Sequence, residues 1–222
     1  MEAKIQNQDS GQYDLTFKMI VIGDPGVGKS CLAGRATKNE FDAKYAPTIG
    51  FEFLTYNVNI QGKVIKLQIW DTCGMEAYRS LISSFYKNSS LAMMVYSIDS
   101  RVSFSNINVW LKEVKLQSHP DVKIILIGNK SDLEEKRQVT YEEAKKFAKE
   151  NNILYFEETS AKNGTNTKEA FNMAAKILFK EHLKYKNRTQ NISFSDNYSE
   201  SSYNTIPNKL VKVNTKRSSN CC

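Results

Sequence analysis

The sequence predicts an α/β fold: a mostly parallel sheet with helices on both faces and one antiparallel hairpin at its edge. Three observations predict it. Short apolar runs of strand length alternate along the chain with segments of helical period. Two alternating runs bracket Gln61-Gly62 in the manner of a β-hairpin. The first run, Phe17–Ile22, ends in a Gly-rich turn that opens a helical segment.

Residues 1–15 are polar and expected to be loose, and the first strand follows them. Asn57–Ile60 and Val64–Trp70 form the hairpin. Leu91–Ile98 and Val122–Ile127 are apolar throughout, as strands buried on both faces are. Phe104, Ile107, Leu111 and Val114 share one helical face, and so do Ala144, Phe147 and Ala148. Thr140 and Glu143 have the spacing of a capping box ahead of that second helix. Phe171, Ala174, Ala175 and Leu178 mark the last helix. Beyond about Lys186 the periodicity stops in a Ser- and Asn-rich stretch, expected to be a disordered arm with a reach of roughly 30–35 Å. The division is thus a flexible N-terminus over 1–15, one domain over 16–184 and a basic tail over 185–222.

Composition is that of an ordinary globular chain, 41% hydrophobic and 25% charged, and ten Gly and four Pro exclude collagen-like and Gly/Pro low-complexity classes. No run approaches the roughly 18 apolar residues of a membrane-spanning helix, and the polar start lacks a signal-peptide core. Cys31 and Cys73 stand alone and Cys221-Cys222 ends the sequence, so a disulfide scaffold is not expected and a reducing compartment is. The net charge of +7 invites a nucleic-acid reading, yet six basic against two acidic residues after position 185 put +4 of it in the tail. A basic arm with few aromatics suits an anionic membrane surface better than a base-stacking platform, so no nucleic-acid partner is expected.

Gly23-Asp24-Pro25-Gly26-Val27-Gly28-Lys29-Ser30 fits the G-x-x-x-x-G-K-[ST] phosphate loop. Its glycines let backbone N–H groups, through Cys31, converge on phosphate oxygens, and the following helix adds its positive end. Lys29 supplies a point charge to the outer phosphates, and the Ser30 hydroxyl suits Mg²⁺, a hard cation. Asn129-Lys130-Ser131-Asp132 follows a strand and turn. A carboxylate such as Asp132 can accept from both N1–H and the 2-amino group of guanine, whereas adenine would leave it unpaired at a cost of about 1–3 kcal/mol or more. Thr159-Ser160-Ala161-Lys162 provides a backbone loop for the base carbonyl. Asp71-Thr72-Cys73-Gly74 places an acid behind the Mg²⁺ water shell and the Gly74 N–H toward the γ-phosphate. Singly, each is an ordinary turn or strand exit; together, at the C-terminal ends of successive strands, they point to GTP and GDP as ligands.

With these loops in place the sequence resembles the Rab family of small GTPases, in the Ras superfamily, over about residues 16–184. Ile49-Gly50-Phe51-Glu52-Phe53, Lys66–Asp71, Tyr78-Arg79-Ser80 and the final Cys221-Cys222 are similar to Rab-diagnostic stretches. The resemblance implies a P-loop domain with a six-stranded sheet and five helices, Mg²⁺, and two mobile segments near 41–53 and 71–85. It implies that Phe41 lies against the guanine face, although a core aromatic reads the same way. It implies that Thr48 completes the Mg²⁺ shell when GTP is bound, although a threonine after Pro47 also fits a turn. Phe53, Trp70 and Phe85 match the triad that effectors read, or three core aromatics. The family further implies an exchange factor, an activating protein, an escort protein, a dissociation inhibitor and vesicle-transport effectors. It implies a monomer that cycles between cytoplasm and the cytosolic face of an intracellular membrane, held there by two geranylgeranyl groups on Cys221 and Cys222.

Three departures lie beside the chemistry. Pro25 replaces the usual Ser or Thr over the γ-phosphate, and Cys73 replaces a common Ala. Met75 replaces the Gln that orients the attacking water. A thioether donates no hydrogen bond, so slow intrinsic hydrolysis is expected unless a partner supplies the group. The alternatives are a GTP-loaded recruitment module that scarcely hydrolyses, and a P-loop kinase of small metabolites, against which the Asn129–Asp132 element argues.

Overall fold

The structure is a computed structural model that describes residues 4–5, 12–42, 48, 50–73 and 85–192. Of the expected site residues, Gly74, Met75, Cys221 and Cys222 lie outside the described residues, as does Tyr78-Arg79-Ser80.

Strands β1 (Lys4–Ile5), β2 (Leu15–Ile22), β3 (Phe51–Ile60), β4 (Lys63–Thr72), β5 (Leu91–Ser97), β6 (Lys123–Asn129) and β7 (Tyr155–Glu158) form one sheet in the order β1-β3-β4-β2-β5-β6-β7. The helices are α1 (Lys29–Lys38), α2 (Arg101–Ser105), α3 (Ile107–Gln117), α4 (Tyr141–Glu150) and α5 (Thr167–Ile192), with a 3₁₀ turn over Ser131–Lys136. The six-stranded, mostly parallel sheet with one antiparallel hairpin is as expected. The N-terminal stretch adds a two-residue seventh strand, because Lys4 and Ile5 pair antiparallel with Asn59 and Val58 at the open edge of β3. The β3–β4 hairpin turns on Gln61 and Gly62, both at positive φ (55° and 77°), the two-residue geometry that matches strand twist.

Apolar residues on β2 alternate between two cores. Met19 and Val21 face the cluster that α1 and α5 cover, with Leu32, Ala33, Phe171, Ala174 and Leu178. Ile20 and Ile22 face the other, with Phe104, Ile107, Trp110, Leu111, Val114 and Ala144. Burial on both sides explains the unbroken apolar runs 19–22 of β2 and 91–96 of β5.

Three details differ from the sequence reading. The helical face running from Phe104 to Val114 belongs to two segments that break at Asn106, the first capped by Ser100, whose Oγ accepts from the Ser103 N–H. The capping box is half formed: Thr140 Oγ1 accepts from the Glu143 N–H at 3.2 Å, while the Glu143 carboxylate pairs with Arg101. Helix α5 runs to Ile192, past the expected boundary at 184, because residues 183–188 are exposed and need no apolar period to be helical.

β2 lies between β4 and β5 and pairs parallel with both. The strand order therefore reverses at β2, and the crevice at the carboxyl ends of β2, β4, β5, β6 and β7 is where open α/β sheets take ligands.

Candidate functional site

The loop from Gly23 to Gly28 leaves β2 and delivers Lys29, Ser30 and Cys31 as the first turn of α1. Two glycines in it are dictated by space. A Cβ on Gly23 would sit 2.1 Å from the Val95 carbonyl oxygen, and one on Gly28 (φ 94°) would meet Asn129 Nδ2 at 2.4 Å. Gly28 is also the N-cap; it makes no side-chain cap, and no acidic residue occupies the first turn. The N–H groups and positive end of α1 therefore face the loop without internal competition. Lys29 is buried, and its Nζ donates to the carbonyls of Gly23 (2.9 Å) and Asp24 (2.8 Å). Burial lowers its pKa, opposed by the charges of Asp71 and Asp24. Pro25 and Gly26 form the exposed rim.

Ser30, Thr48 and Asp71 come together from α1, the segment before β3, and the end of β4. Ser30 Oγ lies 2.7 Å from Thr48 Oγ1 and donates to Asp71 Oδ2. Asp71 Oδ1 is buried with no hydrogen-bond partner among the described residues. Burial pushes the Asp71 carboxyl up to about 6, against the pull of Ser30 and Lys29. Two hydroxyls and a buried carboxylate with an unpaired oxygen make a hard donor set that fits Mg²⁺, which keeps much of its water shell. Beside them, the Cys73 N–H donates to Gly50 O at 3.0 Å, and Cys73 itself is buried.

The base end is built from the β6 and β7 exits. Asn129 works as a girder: its Nδ2 donates to Val27 O (2.9 Å) and Gly28 O (3.4 Å), and its Oδ1 accepts from Thr159 Oγ1 (3.1 Å) and the Ala161 N–H (3.3 Å). The sequence reading expects Asn129 on the nucleotide; in the structure its side chain ties the phosphate loop to the loop after β7. Lys130 adopts positive φ (65°) and turns the chain so that Asp132 faces Ser160, whose Oγ donates to Asp132 Oδ1 at 2.6 Å. Ser160 Oγ also accepts from the Asn163 N–H, which holds the loop bearing Ala161 and Lys162. Phe41 is exposed, so the core-aromatic alternative does not hold for it.

Phe53 and Trp70 are cross-strand partners on β3 and β4, with ring centroids 5.2 Å apart, and Phe85 lies 5.1 Å from Trp70. Phe53 is exposed, whereas Trp70 and Phe85 are half-buried and pack against the second core, so the cluster stands at the edge of the core. Phe51 joins it, at 5.3 Å from Trp70 and 4.7 Å from Phe85.

Sequence reasoning missed Phe51 in this role, and three other residues. Arg35 on α1 donates from Nε to Ala161 O (2.8 Å), from Nη2 to Lys162 O (2.5 Å) and from Nη1 to Asn39 O (3.0 Å), fixing the base loop from behind. Asn106 and Trp110 take up the Asp24 carboxylate: Asn106 Nδ2 donates to Oδ2 at 2.7 Å and Trp110 Nε1 to Oδ1 at 2.8 Å. Asp24 therefore turns its side chain toward α3. Trp110 shares the buried face of Ile107, Leu111 and Val114, a signal that was available in the helical period.

A family model described as the Ras family matches residues 18–180. Among curated proteins the chain is similar to Ras-related protein RABA1c of Arabidopsis thaliana, 46% identical over 171 residues covering 77% of each chain. It is 44% identical over 186 residues to Ras-related protein Rab-11B of Dictyostelium discoideum, covering 84% of this chain and 83% of that one. It is 46% identical over 169 residues to Ras-related protein YPT3 of Nicotiana plumbaginifolia, covering 76% and 77%. The chain belongs to the Ras family of small GTPases, in its Rab branch.

Proposed function

We propose that this chain is a Rab-type switch in intracellular vesicle traffic that holds Mg²⁺-GTP or GDP across the carboxyl ends of its strands and cleaves GTP slowly on its own. The observation that carries the reading is the base end. One hydroxyl hydrogen bond fixes the Asp132 carboxylate and leaves acceptor capacity for the two adjacent donors of guanine. The backbone of the Ser160–Lys162 loop meets the base carbonyl, Phe41 covers its face, and the Lys130 turn closes the pocket. At the other end the backbone N–H groups between Gly23 and Cys31, which Pro25 lacks, cradle the phosphates. Lys29 keeps one ammonium proton beyond the two spent on loop carbonyls and turns it to the outer phosphates. Ser30 and Thr48 would hold Mg²⁺ directly and Asp71 through water; bound there, the cation neutralises charge on the phosphates.

Hydrolysis needs a water oriented toward the γ-phosphate. Gly74 contributes an N–H, and Met75 in the Gln position contributes no donor. Loss of one preorganised group typically costs about 10²–10³ in rate, so an activating partner supplies the missing one. Contacts from the γ-phosphate to the backbone near Thr48 and Gly74 set the segments that flank Phe53, Trp70 and Phe85, the surface effectors read. Exchange factor, dissociation inhibitor and escort protein complete the cycle. Cys221 and Cys222 accept two geranylgeranyl groups, enough for stable anchoring on a cytosolic membrane face, since such anchoring takes two signals. Among the described residues no helix is long and apolar enough to cross a membrane.

Single-turnover cleavage of bound GTP tests this. The wild type cleaves slowly, an activating partner raises the rate, and Met75→Gln raises the intrinsic rate. Equal intrinsic rates for wild type and Met75→Gln overturn the assignment of Met75. Met75 also favours a second reading, a GTP-loaded recruitment module. Purified protein that carries GTP, and that no partner induces to cleave it, selects that one.

A further inference from the structure

Asp24 is an anionic residue in a loop built for an anion, and α3 accounts for it. Both carboxylate oxygens accept from that helix, one from the indole N–H of buried Trp110 and one from the amide of Asn106 at its N-cap. The carbonyl of the same residue accepts from Lys29 Nζ. Pro25 follows directly, and a residue before proline is restricted to extended backbone. Asp24 is thus held through its side chain, its carbonyl and its neighbour's ring, and the orientation of the carbonyl at which Lys29 docks depends on the two donors of α3.

We propose that Asn106 and Trp110 are positioning residues for the phosphate loop, which set the rate of nucleotide release by pinning Asp24 away from the phosphates. Neither needs to touch the ligand. With the donors in place the carboxylate is turned outward and its charge is engaged by charge-assisted hydrogen bonds, the stronger kind. Without them it is released at the loop entrance, beside the phosphates it repels, and Lys29 loses a fixed carbonyl. The inference rests on the proposed binding of guanine nucleotides at this loop.

The experiment is the release of a fluorescent GDP from the full chain with Mg²⁺ present, with the ³¹P resonances of bound GDP recorded for each variant. Trp110→Phe keeps an aromatic ring and removes the donor. Asn106→Asp sets a second carboxylate against Asp24 at a half-buried position and keeps the side chain's size. Each is expected to speed release about tenfold, the low end for losing a hydrogen bond to a charged group, and to shift the β-phosphate resonance. The swap Asp24→Asn with Asn106→Asp exchanges amide and carboxylate between the two positions and restores complementary pairing. The introduced amide donates to the introduced carboxylate and its oxygen accepts from Trp110, which brings release back most of the way. Release within twofold of wild type in both single variants, or a swap as fast as Asn106→Asp alone, overturns the proposal. If Trp110→Phe fails to fold, Asn106→Asp and the swap decide the matter by themselves. Failure of the wild type to bind the fluorescent GDP at all counts against the nucleotide reading instead, so the two failures are distinguishable.

Discussion

The base end and the cation end of the site are held together by different means. At the base end side chains are fixed by other parts of the chain: Asn129 makes four hydrogen bonds and Arg35 three, and Asp132 is set by Ser160. At the cation end Ser30, Thr48 and Asp71 pair with one another, and one oxygen of Asp71 is buried without a partner among the described residues. A framework held by distant parts of the chain suits a grip on an unchanging base. A donor set that pairs within itself and buries an oxygen without a partner suits the proposed switch, in which its pairing would change with cation and γ-phosphate. The proposed function thus places affinity and switching at opposite ends of one crevice.

Several changes break or sharpen that contrast. Asp132→Ala strikes the fixed end and carries the largest expected effect: two charge-assisted bonds lost lower GDP affinity by roughly 10²–10⁴-fold, read by calorimetry. Met75→Gln acts at the switching end and leaves affinity alone. It raises intrinsic GTP cleavage by about 10²–10³-fold in a single-turnover assay. Arg35→Ala loosens the base loop without removing a ligand contact, so GDP affinity falls about tenfold and the melting temperature falls with it. Phe51→Val is the smallest. The ring is 49% exposed, so the variant costs less than about 1 kcal/mol in denaturant unfolding, while near-ultraviolet circular dichroism changes through the loss of its stack on Trp70. An effect of Phe51→Val on GDP affinity as large as that of Arg35→Ala would erase the division between the two ends.

What the sequence made legible follows from how locally each feature is encoded. The loop from Gly23 to Ser30 is contiguous, and its chemistry is backbone chemistry, so eight residues suffice to read it. Asp132 and Ser160 were readable because each follows a strand exit. The roles of Arg35, Asn106 and Trp110 were not, because their partners are 126, 82 and 86 residues away: the helical period marks Trp110 as buried, but nothing local names the distant carbonyl or carboxylate each one serves. The role of Asn129 was half legible: its motif located it, but the side chain's use as a girder depends on where the phosphate loop folds back. The end of α5 was misjudged for a plainer reason, since an exposed final stretch carries no hydrophobic period to read. The Thr140–Glu143 spacing was read as a closed box, and a competing Arg101 from another helix opened half of it.

Competition between nucleotides for the site tests the central claim most directly. Labelled GDP bound to the full chain with Mg²⁺ is challenged with unlabelled GTP and, separately, with ATP. GTP is expected to displace it at near-stoichiometric levels and ATP not at about a hundredfold higher concentration, because adenine would turn a lone pair toward Asp132 in place of two donors. ATP that competes as well as GTP would contradict that claim.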